Sequence, residues 1–197
     1  MIHSLSQLDI DKTYTYADYL TWQFEQLVEL VKGKIFPMSA PSRLHQEISL
    51  NLGTAIHTFL KKKQAKCKVY VAPFDVRLVK NSFGKTEKEI YTVVQPDICV
   101  ICDLEKLDDK GCLGSPDLII EIVSPNNSQR DVKDKFELYQ ENEVKEYWIV
   151  RPYEKTVQQF VLENEKYAFK GTFTPQDSLS PFVLPDLLVS LEKIFEE

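Results

Sequence analysis

The most informative segment of the sequence is a short, very apolar stretch that carries one glutamate, Pro116-Asp117-Leu118-Ile119-Ile120-Glu121-Ile122-Val123. Its aliphatic residues predict a buried β-strand. Successive side chains of a strand point to opposite faces, which separates two sets: Asp117, Ile119, Glu121 and Val123 on one face, and Leu118, Ile120 and Ile122 on the other. An ionised carboxylate in a buried strand is costly unless it is paired, hydrogen-bonded or bound to a metal. Glu121 is therefore a candidate site residue, and Asp117, near the start of the strand, is a candidate helper ligand.

A second acidic residue, Asp97, interrupts another apolar stretch, for which the sequence predicts a strand over 91–102. The carboxylates of Asp97 and Glu121 on neighbouring strands would repel each other, and a divalent cation between them would remove that penalty. Mg²⁺ typically takes one or two protein carboxylates and keeps several waters. The alternative is that both acids form ion pairs with Lys or Arg at the edge of the sheet.

The segment after the Glu121 strand supplies a cation. Ser128, with Asp131 three residues later, predicts the start of a helix that runs to about Asn142. Lys135 lies beside the apolar stripe of this helix, from where its ammonium can reach back over the sheet. Two acids and a lysine are the minimum set for metal-assisted phosphodiester hydrolysis, in which the metal activates water and the lysine positions that water or neutralises developing charge.

The remaining patterns predict an N-terminal helix, a β-hairpin with Gly33 at its turn, a long amphipathic helix, further strands, a second hairpin and a C-terminal helix. The helices cover 11–26, 42–63 and the segment from 185 onward, the hairpins cover 27–36 and 156–172, the strands cover 68–79 and 146–150, and 103–115 is a loop. This order indicates a mixed α/β or α+β fold with helices packed on a central sheet. The sequence has no G-x-G-x-x-G, G-x-x-x-x-G-K or G-x-S-x-G motif, so the usual signatures of dinucleotide binding, P-loop nucleotide binding and the serine nucleophile elbow are missing.

The composition bounds the class of protein. Of the 197 residues, 43% are hydrophobic and 27% charged, which is typical of one globular domain over 1–197 with its core at about 13–195. The sequence contains no apolar run of the roughly 18 residues that a membrane helix needs and no secretory signal pattern, so we expect no membrane partner and a cytoplasmic location. Four cysteines are too few for a disulfide scaffold and favour a reducing compartment.

The net charge of −6 argues against nucleic-acid binding by bulk electrostatics, because proteins that bind in this way neutralise phosphates with Lys and Arg. Binding through a local basic patch stays open. The nearest candidates for such a patch are Lys61, Lys62 and Lys63, with Lys133 or Lys145.

Two further features have alternative interpretations. His45 faces inward with the apolar stripe of the long helix, which is more typical of a hydrogen-bonded core histidine than of a ligand. Cys99 and Cys102, with Cys67 and Cys112, suggest zinc. However, strand positions three apart point to opposite faces and cannot converge on one ion without a turn.

Several blocks of the sequence together resemble the Uma family of restriction endonucleases, a family of bacterial domains. The blocks are Glu29-Leu30-Val31-Lys32-Gly33-Lys34-Ile35, Met38-Ser39-Ala40-Pro41-Ser42, His45, Gln95-Pro96-Asp97, Pro116 to Pro125, Arg130-Asp131 with Lys135 and Tyr139, and Val144-Lys145-Glu146-Tyr147-Trp148-Ile149-Val150. The resemblance runs from about Thr13 to Phe195. It implies the PD-(D/E)xK nuclease fold, a restriction-endonuclease-like mixed sheet flanked by helices that holds Mg²⁺ or Mn²⁺ at its edge.

The resemblance also implies roles for individual residues. Asp97 corresponds to the motif aspartate and Glu121 to the (D/E), and both would hold the metal. The motif lysine falls at Val123, which cannot perform that chemistry, and in this family the helix lysine, here Lys135, takes over its role. Glu29 resembles an additional acid supplied by an N-terminal element, and His45 is a secondary site residue.

Two functions follow. The first is a Mg²⁺-dependent endonuclease that acts on DNA, for which a homodimer would suit double-strand cleavage. The second is a catalytically silent nuclease-fold domain that binds a nucleic-acid or protein partner. The acidic charge favours the second, whereas the acid pair with Lys135 favours the first.

Overall fold

The computed structural model describes residues 2, 4–80, 85–124 and 129–196, with side chains for all of these except 129–131. Contacts between Cα atoms divide the chain into two compact units. Unit 1 contains Met1–Ala40, Asp75–Gln95 and Lys106–Ser115, and unit 2 contains Pro41–Phe74, Pro96–Glu105 and Pro116–Glu197. The assignment of the whole chain to one domain stays a prediction.

The described part of the chain combines helices and strands in a mixed α+β arrangement, as the sequence predicts. The helices are α1 (Tyr16–Tyr19), α2 (Arg43–Lys62), α3 (Gln129–Glu141) and α4 (Leu191–Ile194). The strands are β1 (Val28–Val31), β2 (Lys34–Pro37), β3 (Lys68–Val71), β4 (Val76–Arg77), β5 (Val93–Val94), β6 (Ile98–Ile101), β7 (Leu107–Asp108), β8 (Gly111–Leu113), β9 (Leu118–Ile122), β10 (Glu146–Arg151), β11 (Thr156–Glu163), β12 (Lys166–Phe173), β13 (Ser178–Leu179) and β14 (Val189–Ser190).

Unit 1 is built on a six-stranded sheet in the order β2-β1-β5-β4-β8-β7. The β1–β2 hairpin confirms the predicted one, with Leu30 paired to Ile35. Gly33 in its turn has φ +79, and an added Cβ would lie 2.3 Å from Cγ2 of Thr13. Both the backbone conformation and the lack of space therefore require glycine at the turn.

The predicted N-terminal helix over 11–26 is wrong in length. α1 has 4 residues and begins after Thr15, whose hydroxyl accepts a hydrogen bond from the N–H of Asp18. Tyr16 and Trp22 belong to an aromatic and aliphatic cluster that packs around Leu30. The aromatic spacing that suggested a long helix reflects packing in this cluster.

Unit 2 contains a six-stranded sheet in the order β12-β11-β10-β9-β6-β3. β9 and β10 are parallel, whereas β9 and β6 are antiparallel, so the sheet is mixed as predicted. α3 connects the two parallel strands. α2 begins after Ser42, whose hydroxyl accepts a hydrogen bond from the N–H of His45. Its apolar side chains share one core cluster with every second residue of β9: Ile48, Leu52 and Ile56 from α2, and Leu118, Ile120 and Ile122 from β9. The predicted division of β9 into two faces is confirmed.

The predicted strands over 68–79 and 91–102 are each divided in two, and the halves belong to different sheets. The first breaks after Val71, next to Pro73, and the second breaks at Gln95-Pro96-Asp97. Proline has no N–H for the ladder and therefore ends pairing inside a sheet. Asp97 accordingly lies just before β6 and not inside a strand. The predicted loop 103–115 contains the hairpin of β7 and β8.

The predicted C-terminal helix is also wrong over most of its length. Leu187, Val189 and Leu191 are buried and Leu188 is exposed, which is the alternation of an extended chain. Val189 pairs with Leu179, and only Leu191–Ile194 is helical.

Cys67 and Cys102 form a disulfide. This pair counts against the expectation of a reducing compartment and against a zinc site that uses Cys99 with Cys102. Within the described ranges, no helix is long and apolar enough to cross a membrane. The cytoplasmic location stays a prediction.

Candidate active site

Asp97 and Glu121 are neighbours across two adjacent strands of unit 2. The register of β6 and β9 pairs Ile98 with Ile120, and one step further it places Asp97 opposite Glu121. Directly opposite residues of an antiparallel pair project to the same face. Oδ2 of Asp97 accepts a hydrogen bond of 2.7 Å from the N–H of Ile122, which fixes the carboxylate beside β9.

Lys135 and Tyr139 reach Glu121 from α3. The Nζ of Lys135 lies 2.9 Å from Oε1 of Glu121, and the side chains are 25% and 11% exposed. The hydroxyl of Tyr139 donates to the same oxygen. The two residues lie four apart on α3, so they share one helix face. The predicted Ser128 cap and the side chain of Asp131 lie outside the described residues.

His45 contacts the other acid. Its Nε2 lies 3.1 Å from Oδ1 of Asp97, and its buried Nδ1 has no hydrogen-bond partner within the described part of the chain. Burial lowers the pKa of His45, but the hydrogen bond to Asp97 and the charges of Asp97 and Glu121 outweigh burial and raise the pKa above its ordinary value. Asp97, Glu121, Lys135, Tyr139 and His45 together form what we call the Glu121 cluster.

Tyr139 also belongs to the cluster, although helical spacing predicts it, together with Val132 and Phe136, on the packing stripe of α3. Its ring contacts the buried ring of Tyr147 edge to face at 5.1 Å, so the aromatic part does pack as expected. The hydroxyl, however, donates a hydrogen bond to Oε1 of Glu121. The sequence spacing of Lys135 and Tyr139 indicates this position, because a residue four positions after Lys135 lies on the same side of the helix.

Asp117 does not join this cluster. It precedes β9 and lies four residues from Glu121, which is roughly 13 Å along a strand. Its Oδ2 accepts a hydrogen bond of 2.7 Å from the N–H of Cys102, and its Oδ1 lies 2.6 Å from Nζ of Lys145. Both carboxylate oxygens of Asp117 serve contacts at the other end of the strand, so the structure does not bring Asp117 to Glu121, and its role as a helper ligand stays a prediction.

Glu29 lies in unit 1. It is 5% exposed, and its Oε1 accepts a hydrogen bond of 2.9 Å from the N–H of Gln95. The side-chain amide of Gln95 in turn donates to Asp75 at 2.8 Å. The role of Glu29 as an additional catalytic acid stays a prediction.

The position of the motif lysine holds Val123, whose N–H donates to the carbonyl of Val150 at 2.8 Å. The nearest candidate cation for the acids is therefore Lys135. Two carboxylates match the usual protein share of a Mg²⁺ site, and the oxygen donors suit that ion. Within residues 4–80, 85–124 and 129–196, no group of three or more His, Cys, Asp or Glu side chains is arranged to hold a metal ion.

The basic residues proposed for nucleic-acid binding lie elsewhere. Lys61 is sixteen residues from His45 on α2, a separation of about 24 Å along the helix axis. Lys133 pairs with Glu137 on the exposed side of α3, and Lys145 pairs with Asp117.

Comparisons with known proteins give a consistent assignment. A family model described as "Uma2: Putative restriction endonuclease" matches residues 16–192. Two uncharacterized proteins of Synechocystis sp. (strain ATCC 27184 / PCC 6803 / Kazusa) are 28% identical over 127 residues and 27% identical over 132 residues. These matches cover 64% and 65% of this chain, and 61% and 68% of the relatives.

A solved structure shares the fold. The crystal structure of a "putative nuclease belonging to DUF820" from Anabaena variabilis ATCC 29413 superposes with a TM-score of 0.72 and 20% identity, over 92% of this chain and 97% of that one.

Proposed function

The chain belongs to the Uma2 restriction endonuclease family, and we propose that it is a Mg²⁺-dependent endonuclease that hydrolyses phosphodiester bonds of DNA at the Glu121 cluster. The observation that carries this proposal is the contact of 2.9 Å between Lys135 and Glu121, beside the cross-strand position of Asp97. It places two acids and one lysine together although the motif position itself holds Val123.

Asp97 and Glu121 are the residues that would hold Mg²⁺ or Mn²⁺. When bound, such an ion polarises the phosphate and lowers the pKa of a coordinated water. Lys135 contributes a positive charge next to the carboxylates, where it can neutralise charge that develops on the phosphate or orient the attacking water. Tyr139 and the N–H of Ile122 hold the two carboxylates in place, and His45 orients Asp97.

The second candidate function is a nuclease-fold domain that binds a partner without catalysis. The net charge of −6 favours it, because the chain lacks the general positive charge of many DNA-binding proteins. The two candidates differ in one respect that can be measured, since only the nuclease requires metal bound at Asp97 and Glu121.

The test is cleavage of supercoiled plasmid in Mg²⁺ or Mn²⁺, combined with calorimetric titration of Mn²⁺. We expect the wild type to cleave and to bind the ion, and Asp97→Ala and Glu121→Ala to lose both properties. Glu192→Ala, which removes an exposed acid on α4, serves as the matched control and retains both. Cleavage that persists in Asp97→Ala and Glu121→Ala would overturn the proposal. A folded wild type with neither cleavage nor Mn²⁺ binding would favour the second function.

A further inference from the structure

A cleft of about 350 Å³ opens on unit 2 beside the first turn of α2. It is lined by Ser42, Arg43, Leu44, Pro152, Tyr153 and Lys155, and we call it the Tyr153 cleft. α2 connects it to the Glu121 cluster, since Arg43 lies in the cleft and His45, two residues later, contacts Asp97. The cleft and the Glu121 cluster therefore lie at the same end of α2 but on different sides of the helix, because residues two apart point about 200° away from each other.

Two cations line the cleft, Arg43 on α2 and Lys155 in the turn that joins β10 to β11. The Arg43 side chain is 74% exposed, and its Nη1 lies 2.7 Å from Oε2 of Glu47. An exposed pair of this kind contributes little stability, so a phosphate can compete for the guanidinium at small cost. The guanidinium has five N–H donors in a planar fork that matches phosphate oxygens.

The third element of the cleft is an exposed aromatic ring. Tyr153 is 62% exposed, whereas the tyrosines at 139 and 147 in the same unit are buried. An exposed ring beside cations is the composition of surfaces that hold single-stranded nucleic acid, in which bases stack on rings and cations follow the backbone. The volume lies at the lower end of the range for small-ligand clefts, which leaves room for one nucleotide but not for a duplex.

Building on the proposed function, we propose that the Tyr153 cleft holds one nucleotide of the DNA strand that is cleaved at the Glu121 cluster. Arg43 and Lys155 bind its phosphate, and its base stacks on Tyr153. The substrate is accordingly a DNA strand with at least one unpaired base at this position. Local binding of this kind is compatible with the net charge of −6, because the positive charge is needed only where the strand enters.

The test is fluorescence anisotropy of a labelled single-stranded oligonucleotide, measured with EDTA so that no cleavage occurs. We expect the double variant Arg43→Ala/Lys155→Ala to bind at least tenfold more weakly and to reduce the slope of log affinity against log salt by about 1. Tyr153→Ala should weaken binding about tenfold, whereas Tyr153→Phe keeps the ring and should bind like the wild type.

The matched control is Lys61→Ala/Lys62→Ala, which removes the same charge from the other end of α2. If both double variants weaken binding equally, bulk electrostatics explains the effect and the inference is overturned. Wild-type affinity in Arg43→Ala/Lys155→Ala, or wild-type affinity in Tyr153→Ala, also overturns it. Plasmid cleavage, measured in parallel, separates the two proposals. If the wild type cleaves plasmid but the cleft variants bind the oligonucleotide like the wild type, only the inference about the cleft is overturned. If the cleft variants bind more weakly but the wild type does not cleave, only the proposed nuclease function is overturned.

Discussion

Replacing Lys135 with methionine removes the ammonium that contacts Glu121 and keeps most of the apolar stem that packs on the sheet. Glu121 retains the hydrogen bond from the hydroxyl of Tyr139. A hydrogen bond to a charged group contributes about 1.5–3 kcal/mol when buried. The Lys135 side chain is 25% exposed, and screening by solvent reduces the expected loss to about 1–2 kcal/mol. For a chain of 197 residues this corresponds to a fall in Tm of about 2–8 °C.

The effect of Lys135→Met on cleavage should be larger than its effect on folding. Loss of one group that stabilises transition-state charge typically lowers the rate by about 10²–10³, and we expect at least a tenfold fall in single-turnover plasmid cleavage. Mn²⁺ binding should persist, because both carboxylates remain. The matched control is Lys133→Met on the same helix, whose side chain is 71% exposed. Unchanged cleavage by Lys135→Met, in a preparation whose activity Asp97→Ala abolishes, would refute the reasoning and leave Lys135 as a structural ion pair.

Three further predictions concern stability. Glu146 is fully buried and accepts hydrogen bonds from two side chains and from the N–H of Val183. Glu146→Gln replaces one acceptor oxygen with an amide group that donates, so that it faces another donor. Urea unfolding should show that the free energy of unfolding falls by about 2–3 kcal/mol. A loss below about 0.5 kcal/mol would contradict this account of the site. Burial raises the pKa of Asp75, so the wild type loses stability as pH rises from about 4 through the raised pKa. Asp75→Asn has no carboxyl group at this position and should not show this pH-dependent loss of stability. If the difference in unfolding free energy between the two proteins stays constant from pH 4 to 8, the prediction is wrong. Cys67 and Cys102 close a loop of 35 residues, so Cys67→Ser should lower the free energy of unfolding by about 4 kcal/mol. An unchanged urea midpoint would show that the disulfide does not constrain the unfolded chain.

The elements that the sequence predicted well are those with strong local periodicity. α2 begins after Ser42 and ends at Lys62, within one residue of the prediction, because its apolar side chains recur every three or four positions. The two faces of β9 followed from alternation alone. The strand predictions failed where prolines divide an apolar run, since Val93–Val94 and Ile98–Ile101 are both apolar and enter different sheets.

Acids in apolar strands were a useful signal that could not by itself identify the site. Asp117, Glu121 and Glu146 all lie next to aliphatic or aromatic residues, yet only Glu121 joins Asp97. The partners decide: Asp117 binds Cys102 and Lys145, whereas Glu146 binds Trp148, Gln159 and Val183. Apart from Trp148, which is two residues from Glu146, these partners come from distant parts of the chain, and no local sequence pattern predicts them.

The cysteines show the same limit. Strand geometry argues against zinc at Cys99 and Cys102, but it does not predict what Cys102 contacts instead. The partner of Cys102 is Cys67, which follows from the register of β3 against β6, where Lys68 pairs with Ile101. A register between strands that lie 35 residues apart is a property of the folded sheet.

The central claim is that Asp97 and Glu121 hold the metal of a nuclease. Anomalous diffraction from crystals grown with Mn²⁺ tests it most directly. The account predicts an anomalous peak in contact with the carboxylates of Asp97 and Glu121, absent from crystals of Asp97→Ala. A protein that cleaves DNA in Mn²⁺ but shows its anomalous peak away from both carboxylates would contradict the claim.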